Sequence, residues 1–392
     1  MDERLKFIAK WLEEDWPMTV LCLEFGISRT LGYELVARYQ RAGVQGLQDR
    51  SRAPLHHPNA VPPAVEACVV QARQQHPTWG PRKLRAWLQR KQPEITWPSR
   101  SAIGALLHRE GLTVLRRRRQ RTPPYTQPFA ACTAPNAVWC ADLKGWFRTS
   151  DGQPCYPFTL SDAHSRFLLR CQALARTDYD AIWPLCEAAF REYGLPDAIR
   201  TDNGPPFAST GLGGLSRLAV RWVRLGIMPE RIAPGHPEQN GRHERLHRTL
   251  KEDATIPPQA TRRAQQRAFD DFRHEYNHER PHEALDQAVP ASCHQPSARP
   301  YPLRLPELQY PADAQVRRVR NNGEIRWCHE LVYVSQTLAG ELVALLPQDD
   351  RYWLLCFGPL QLAVVDSHTK RLIVPKLKRT PKSKKDFPPP MC

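Results

Sequence analysis

An aspartate in the middle of an apolar run is the feature that most restricts how this chain can fold. Residues 138–143 read VWCADL, which predicts a buried strand interrupted at Asp142. Burying a carboxylate in a strand is unfavourable without a partner. A second aspartate, Asp202, follows another predicted strand at residues 196–200, and carboxylates at neighbouring strand positions repel each other unless a cation lies nearby. The pattern therefore indicates a divalent metal site, and Mg²⁺ suits it because this hard ion takes oxygen ligands.

The segments around these aspartates predict a mixed α/β layer. Residues 155–174 read as two further strands on either side of a corner at residues 162–165. Residues 178–193 place their apolar side chains on one side of a helix. The order of three strands, a helix, a strand and a second helix predicts a mixed sheet covered by helices. Open sheets bind their ligands at strand ends.

A third carboxylate is expected on a helix that packs against this sheet. Residues 237–241 predict a loop that enters the helix, and Glu244 follows in its first turn. Glu238 and Glu252 are the alternatives, since Glu238 precedes the settled helix and Glu252 lies two turns further on. At helical spacing, the side that carries Glu244 also carries His247, Arg248 and Lys251.

The N-terminal residues 1–52 predict a helix-turn-helix. Apolar residues recur at helical spacing, a tight turn follows at residues 26–28, and Ser28 can cap the next helix. A small helical bundle without a DNA role is the alternative interpretation. The candidate DNA contacts on the second helix of the motif are Arg29, Thr30, Tyr33 and Arg38.

Residues 60–115 predict a second helical domain. Its apolar residues again fall on one helical face, and Ser99 can cap a further helix. Arg82 and Lys83 are expected to face DNA phosphates. A spacer of packed helices without sequence-specific contacts is the other interpretation.

The remaining segments differ in composition from the predicted core. Residues 116–133 read as a basic, proline-rich linker. Its arginine run, which includes Arg116, Arg117 and Arg118, is expected to lie along the DNA backbone. A solvated linker without a specific role is the alternative. Residues 314–375 alternate apolar and polar positions, which predicts a small β-barrel of about five strands. Residues 376–392 are expected to be a disordered basic tail.

Charge and cysteine content narrow the class of protein. The formal net charge of +16 favours nucleic acid as the partner, with an acidic membrane surface as the second choice. No apolar run is long enough to span a bilayer, and no signal peptide is recognisable. The 11 cysteines include no CxxC pair, which argues against a structural zinc site while leaving scattered His and Cys open as ligands. A cytoplasmic protein with reduced thiols is expected.

Four core motifs resemble the catalytic core of integrase-like insertion-sequence transposases. They are VWCADLKGWF, FTLSDAHSRF, PDAIRTDNGPPF and PGHPEQNGRHERLHRTLKED. The later FRHEYNHERPHEAL is similar to a Tyr-Asn and Arg-Pro-His stretch of the same family, and two N-terminal stretches, FGISRTLGYELVARYQRAGVQGLQDRSRAP and HPTWGPRKLRAWL, resemble its DNA-binding segments.

The resemblance implies a multidomain fold with helical helix-turn-helix N-terminal domains, an RNase H-like catalytic core at residues 134–290 and the small C-terminal β-barrel. It implies an Asp-Asp-Glu triad of Asp142, Asp202 and Glu244 holding two Mg²⁺ (or Mn²⁺) ions per active site. The residues expected to position the DNA strand are Gln239, Asn240, His243 and Lys251.

The activity implied is DNA transposition. Such an enzyme binds the terminal inverted repeats of its element, cleaves their 3′ ends and joins them to target DNA. Handling both ends of the element at once requires a homodimer or a larger homo-oligomer. The substrate would be double-stranded DNA. The enzyme would act at the nucleoid of a bacterial cell and not at a membrane. A non-catalytic DNA-binding regulator and a nuclease that hydrolyses without joining are the alternatives with the same core.

Overall fold

The computed structural model describes residues 2–49, 60–113, 132–232 and 241–373. The chain divides into two compact units, Met1–Pro62 and Pro63–Cys392. The helices of the described ranges are α1 (Asp2–Leu12), α2 (Met18–Glu24), α3 (Arg29–Ala42), α4 (Pro63–Gln75), α5 (Pro81–Lys91), α6 (Arg100–Arg109), α7 (Tyr179–Tyr193), α8 (Arg217–Arg224), α9 (Gly241–Ala254), α10 (Arg262–His278) and α11 (Pro290–Cys293). The strands are β1 (Val138–Leu143), β2 (Phe147–Arg148), β3 (Pro154–Asp162), β4 (Leu168–Leu174), β5 (Ala198–Thr201), β6 (Met228–Arg231), β7 (Gln315–Arg318), β8 (Glu324–Trp327), β9 (Glu330–Tyr333), β10 (Leu342–Pro347), β11 (Tyr352–Phe357), β12 (Leu360–Asp366) and β13 (Leu372–Ile373). None of the described helices combines the length and the apolar character needed to cross a bilayer.

The first unit is a three-helix structure with a helix-turn-helix. The helices α1 to α3 close around a small apolar core that includes Phe7, Leu21 and Leu35. Gly26 stands in the turn between α2 and α3 with a φ of 61°, a conformation that glycine adopts without steric cost. The Ser28 Oγ accepts a hydrogen bond of 3.2 Å from the backbone N–H of Leu31, which confirms the predicted cap of α3.

The second unit begins with another helical cluster. The helices α4, α5 and α6 pack around Trp79, Leu84 and Ile103, all of them fully buried. Ser99 caps α6 by accepting a hydrogen bond of 3.1 Å from the backbone N–H of Ala102. The two predicted caps were therefore reliable markers of where these helices begin.

A mixed sheet forms the centre of the second unit. Its strands run in the order β4-β3-β1-β5-β6, with the short β2 also paired to β3. Strands β1, β3 and β4 pair antiparallel, whereas β5 is parallel to both β1 and β6. This arrangement confirms the mixed α/β core, and β6 is a strand that the sequence pattern did not reveal.

Helices cover both faces of this sheet. On one face, α7 and α8 contribute Ile182, Phe190 and Trp222 to a core shared with Trp139 of β1. On the other face, α9 and α10 contribute an apolar set that includes Leu250 and packs on β3 and β4. Alternate strand residues point to opposite faces of a sheet. Trp139 and Ala141 therefore face α7 and α8, whereas Asp142 faces α9.

The C-terminal strands form a sheet whose closure into a barrel is not confirmed. Five of them pair antiparallel in the order β13-β12-β11-β10-β7, and β8 and β9 form a separate hairpin. Within the described part of the chain, the edge strands β7 and β13 do not pair with each other. Buried side chains of this sheet, including Val343 and Phe357, belong to the same apolar core as Trp222 of α8.

Candidate active site

The parallel pairing of β1 with β5 places the two predicted aspartates side by side. Cys140 stands opposite Arg200 in this ladder, and Asp142 and Asp202 each lie two residues further along the chain. Positions two residues apart along a strand share a face, and neighbouring strands are only about 4.8 Å apart. The strand register therefore supports the prediction that the two carboxylates occupy adjacent positions at one sheet edge.

Asp142 has one carboxylate oxygen fixed by its own strand. The backbone N–H of Leu143 donates a hydrogen bond of 2.8 Å to Oδ1. The other oxygen, Oδ2, lies 3.8 Å from Nδ1 of His247, and the Asp142 side chain is only 15% exposed. The carboxylate is thus held at the edge of the interior with a defined orientation.

Two histidines of α9 lie over the same face of the sheet. Thr159, the residue opposite Asp142 on β3, has its hydroxyl 2.6 Å from Nε2 of His243 and 2.8 Å from Nε2 of His247. Burial lowers the pKa of His243 to about 3. Burial, with the neighbouring His243 and Lys144 contributing, lowers the pKa of His247 to about 2. Both imidazoles are therefore neutral at physiological pH.

Asp202 and Glu244 occupy more open positions. The half-buried Asp202 accepts a hydrogen bond of 3.1 Å on Oδ1 from the backbone N–H of Gly204. Glu244 is exposed on α9, next in sequence to the buried His243. In the described ranges, the group of possible metal ligands that converges is Asp142, His243 and His247. The structure thus brings Asp142 and Asp202 to one sheet edge without bringing the Glu244 carboxylate to Asp142.

The carboxylates at this edge suit the metal that the sequence predicts. Carboxylate oxygens are hard donors, and Mg²⁺ selects a small number of such ligands while retaining waters. The sheet edge offers Asp142 and Asp202 in this role, and the exposed Glu244 lies in the first turn of the adjoining α9. The donor set is thus chemically compatible with Mg²⁺ or Mn²⁺.

Three of the predicted contacts on α3 are available to a ligand. Arg29 and Thr30 open the helix and are exposed, and the Tyr33 side chain is 60% exposed. Arg38 differs from the expectation. Its guanidinium donates hydrogen bonds of 2.7 Å and 2.5 Å to the carbonyl oxygens of Gly46 and Gln48, so it stabilises the end of this unit instead of being directed to DNA.

The second helical cluster is docked on the end of α10, and this changes the interpretation of its basic residues. Arg82 forms an ion pair with Glu283. Lys83 is half-buried, and burial, followed by repulsion from Arg280, lowers its pKa to about 8. The Arg82 side chain is 53% exposed in this surface ion pair, so a phosphate contact by Arg82 stays a prediction, whereas Lys83 is partly covered by the docked surface.

Further contacts support the same docking surface. Nδ1 of His76 lies 3.1 Å from Oε1 of Glu275, and Arg90 donates a hydrogen bond of 2.6 Å to the carbonyl oxygen of Glu279. The Arg280 guanidinium lies 6.0 Å from the centroid of the Trp79 ring, within the range of a cation–π interaction.

The residues expected to position the DNA strand near the active site differ in their exposure to solvent. Lys251 is exposed on α9 and remains available. His243 is 2% exposed and bonded to Thr159, so it lies inside the protein and not on a DNA-facing surface. Gln239, Asn240, Arg116, Arg117 and Arg118 lie outside the described residues, as do the basic tail and nearly all of the proposed linker.

The sequence pattern did not mark Thr159 as a neighbour of Asp142, and it placed His247 only on the helix side that carries Glu244. His247 was visible as an i, i+4 partner of His243 on one helix face, but no local signal marks Thr159 as their common partner. Asn277, within the Tyr-Asn stretch, is buried and bonds both the backbone N–H and the carbonyl of Leu168, at 2.8 Å and 3.0 Å. This motif residue therefore joins α10 to β4.

Comparison with known proteins agrees with this architecture. Residues 133–237 and residues 225–290 each match a family described as Integrase core domain. Residues 3–54 match a Helix-turn-helix domain, and residues 32–107 match a Homeodomain-like domain.

Two bacterial relatives match the chain over much of their length. The IS407 insertion element uncharacterized 31.7 kDa protein of Burkholderia multivorans is 28% identical over 62% of this chain and 85% of its own length. The IS476 uncharacterized 39.2 kDa protein of Xanthomonas euvesicatoria is 27% identical over 68% of this chain and 74% of its own length.

A solved structure of the HTLV-2 integrase catalytic core domain in complex with magnesium aligns with 42% of this chain and 99% of its own, at 16% identity and a TM-score of 0.33. The chain thus contains an integrase core domain and is similar to proteins of two bacterial insertion elements. These findings support an integrase-like transposase of an insertion sequence.

Proposed function

We propose that this protein is a DNA transposase that cleaves the 3′ ends of its element and joins them to target DNA. The observation that carries the proposal is the parallel pairing of β1 with β5, with Asp142 near the end of β1 and Asp202 one residue past the end of β5. Two carboxylates on adjacent strands need a cation to offset their repulsion. The integrase-core matches and the insertion-element relatives support DNA as the substrate.

Asp142, Asp202 and Glu244 would hold two Mg²⁺ or Mn²⁺ ions, which supply an activated water and stabilise the leaving 3′ oxygen. Asp142 enters the reaction already oriented, because its Oδ1 is fixed by the N–H of Leu143. Asp202 is oriented in the same way by Gly204. Glu244, exposed in the first turn of α9, would complete the set.

The reaction consists of two balanced phosphoryl transfers. In the first, water attacks the phosphodiester at the element end, which breaks one bond and leaves a 3′-hydroxyl. In the second, that hydroxyl attacks a target phosphodiester, so one bond forms as another breaks. No covalent link to the protein is needed, and no serine or tyrosine nucleophile is required. Lys251 of α9 is exposed and is suited to bind the DNA backbone near this site.

A single assay tests this proposal against its alternatives. The full chain is incubated with Mg²⁺ or Mn²⁺, a labelled DNA fragment carrying one end of the element, and a plasmid target. Joined product is the expected result. Nicking without joining would instead make the protein a nuclease, and a mobility shift without chemistry would make it a regulator.

The start of α3 is proposed to read the terminal inverted repeats. Arg29 and Thr30 are the first residues of the helix, and the N-terminal residues of a recognition helix are those that reach base edges. The matches to helix-turn-helix and homeodomain-like families support this role. Binding two ends together would require at least a dimer, and the reaction would take place at the nucleoid in the bacterial cytoplasm.

The Arg29→Ala variant is expected to bind element-end DNA more weakly and to reduce the slope of log affinity against log salt by about 0.9, the value for one lost phosphate contact. Fluorescence anisotropy across a series of salt concentrations measures this slope. Arg41→Ala, which removes the same charge from the last turn of α3, is the matched control and should leave the slope unchanged. Equal slopes for Arg29→Ala and the unmodified chain would exclude Arg29 as a contact.

A further inference from the structure

Three side chains from two elements form a second possible metal site at the edge of the candidate active site. Asp142 comes from β1, and His243 and His247 come from successive turns of α9. Each offers one donor atom, and these atoms lie within 4.8 Å of one another. Tetrahedral zinc places its ligand atoms about 3.3 Å apart, so closing this group around an ion requires side-chain movements of about 1 Å.

The chemistry of the donors differs from that of the triad. Two imidazole nitrogens and one carboxylate form a mixed set that suits Zn²⁺ or Co²⁺, whereas Mg²⁺ prefers oxygen alone. Each ring offers one nitrogen to the group, and both histidines are buried. Asp142, His243 and His247 would supply three protein ligands, which is the number found in zinc sites that keep one position open.

The surroundings of the histidines are also those of a metal site. The hydroxyl of Thr159 contacts a ring nitrogen of each histidine, and its placement opposite Asp142 on β3 is fixed by strand pairing. Hydrogen-bonding neighbours of this kind orient metal ligands and set their tautomers. The site is thus built by the sheet and the helix together, not by a mobile surface cluster.

We propose that Asp142, His243 and His247 bind a transition-metal ion of the Zn²⁺ type, and that this ion competes with the catalytic ions for Asp142. The competition, though not the site itself, rests on the proposed transposase function. One carboxylate cannot serve a histidine-bound ion and the Asp142–Asp202–Glu244 set in the same geometry. Zn²⁺ binding would therefore hold α9 against β1 in the present arrangement and keep the enzyme inactive until the ion leaves.

Titration of the full, chelator-treated chain with Co²⁺ alone tests the site directly. We expect one Co²⁺ per chain with the visible absorption of a tetrahedral complex, displaced by an equivalent of Zn²⁺. His243→Gln and His247→Gln should each weaken Co²⁺ binding by more than about 100-fold, since changing a residue that merely hydrogen-bonds a metal ligand already costs about 10- to 100-fold. Unchanged Co²⁺ binding in both variants would overturn the proposal.

A second histidine pair provides the matched control. His274 and His278 of α10 are also four residues apart, with ring centroids separated by 4.9 Å, compared with 4.7 Å for His243 and His247. This control pair is exposed, so the His274→Gln/His278→Gln double variant should keep the Co²⁺ spectrum. Loss of the spectrum in this control, with retention in His243→Gln, would place the ion on α10 and overturn the proposal.

Two further measurements keep the result interpretable. X-ray absorption of the Zn²⁺-loaded unmodified chain should show two imidazole ligands. This test does not depend on whether a histidine variant folds. A spectrum without imidazole ligands would overturn the proposal.

The Asp202→Asn variant should lose strand transfer yet retain Co²⁺ binding. Loss of Co²⁺ binding in Asp202→Asn would overturn the histidine site and leave the proposed transposase function standing. Retained strand transfer in Asp202→Asn would overturn the triad and leave the histidine site standing.

Discussion

The Asp142→Asn variant is expected to join element ends to target DNA at least about a thousand-fold more slowly than the unmodified chain, because metal-assisted charge stabilisation supplies several kcal/mol and each 1.36 kcal/mol corresponds to a factor of ten. Asparagine keeps the shape of the side chain and can still accept the hydrogen bond from Leu143. The substitution therefore removes the charge while leaving the strand intact. Single-turnover strand transfer with pre-cleaved ends measures the effect on the joining step alone.

Two controls define the meaning of this loss. Asp180→Asn makes the same chemical change at an exposed position in the first turn of α7, on the opposite face of the sheet, and should retain full activity. Asp142→Asn should also bind element-end DNA as well as the unmodified chain, because α3 lies in the other compact unit. Strand transfer within tenfold of the unmodified rate would remove Asp142 from the active site.

The Asn277→Ala variant is expected to lower the free energy of unfolding of the second unit by about 2–6 kcal/mol, since each buried polar group left unsatisfied costs about 1–3 kcal/mol. The amide of Asn277 is 3% exposed and satisfies both backbone groups of Leu168 at the start of β4. Alanine leaves both groups without their partner in the interior. Calorimetric melting of the full chain measures the change.

Asn322→Ala is the matched substitution for this measurement. Asn322 is exposed, and its side chain bonds only within a turn of the C-terminal sheet, to Glu324. Its loss should cost less than about 1 kcal/mol, as is usual for exposed positions. Equal melting temperatures for the two variants would contradict a stabilising role of the Asn277 amide.

Local patterns were sufficient to predict the elements that their own side chains specify. Ser28 and Ser99 cap helices wherever they precede a helical run, because the capping bond spans only three residues. The aspartate of VWCADL could be assigned to a buried strand because it stands in a short apolar run. The sheet order and β6 could not be obtained in this way, since β6 is short and half-exposed and pairs with β5 only through the fold.

The basic residues show where local reasoning fails. Arg29, Arg38, Arg82 and Lys83 all appear in the sequence as cations on amphipathic helices, and nothing nearby distinguishes them. The structure exposes Arg29, engages Arg38 with backbone carbonyls and docks Arg82 against Glu283. Their partners are distant in sequence or belong to loops, so a charge pattern cannot reveal which cation is already satisfied.

The surroundings of Asp142, the aspartate inside a buried strand, depend on both local sequence and tertiary packing. The chain's local chemistry predicted that a carboxylate at Asp142 needs a cationic partner, whereas the parallel pairing of β1 with β5 placed the end of β5, and with it Asp202, beside β1. Only the packing of α9 across β1 and β3 decided that His243, His247 and Thr159 surround that carboxylate while Glu244 stays exposed. Helix rotation against a sheet is set by the fit of Leu246 and Leu250 into the apolar layer, which depends on residues far away in the chain.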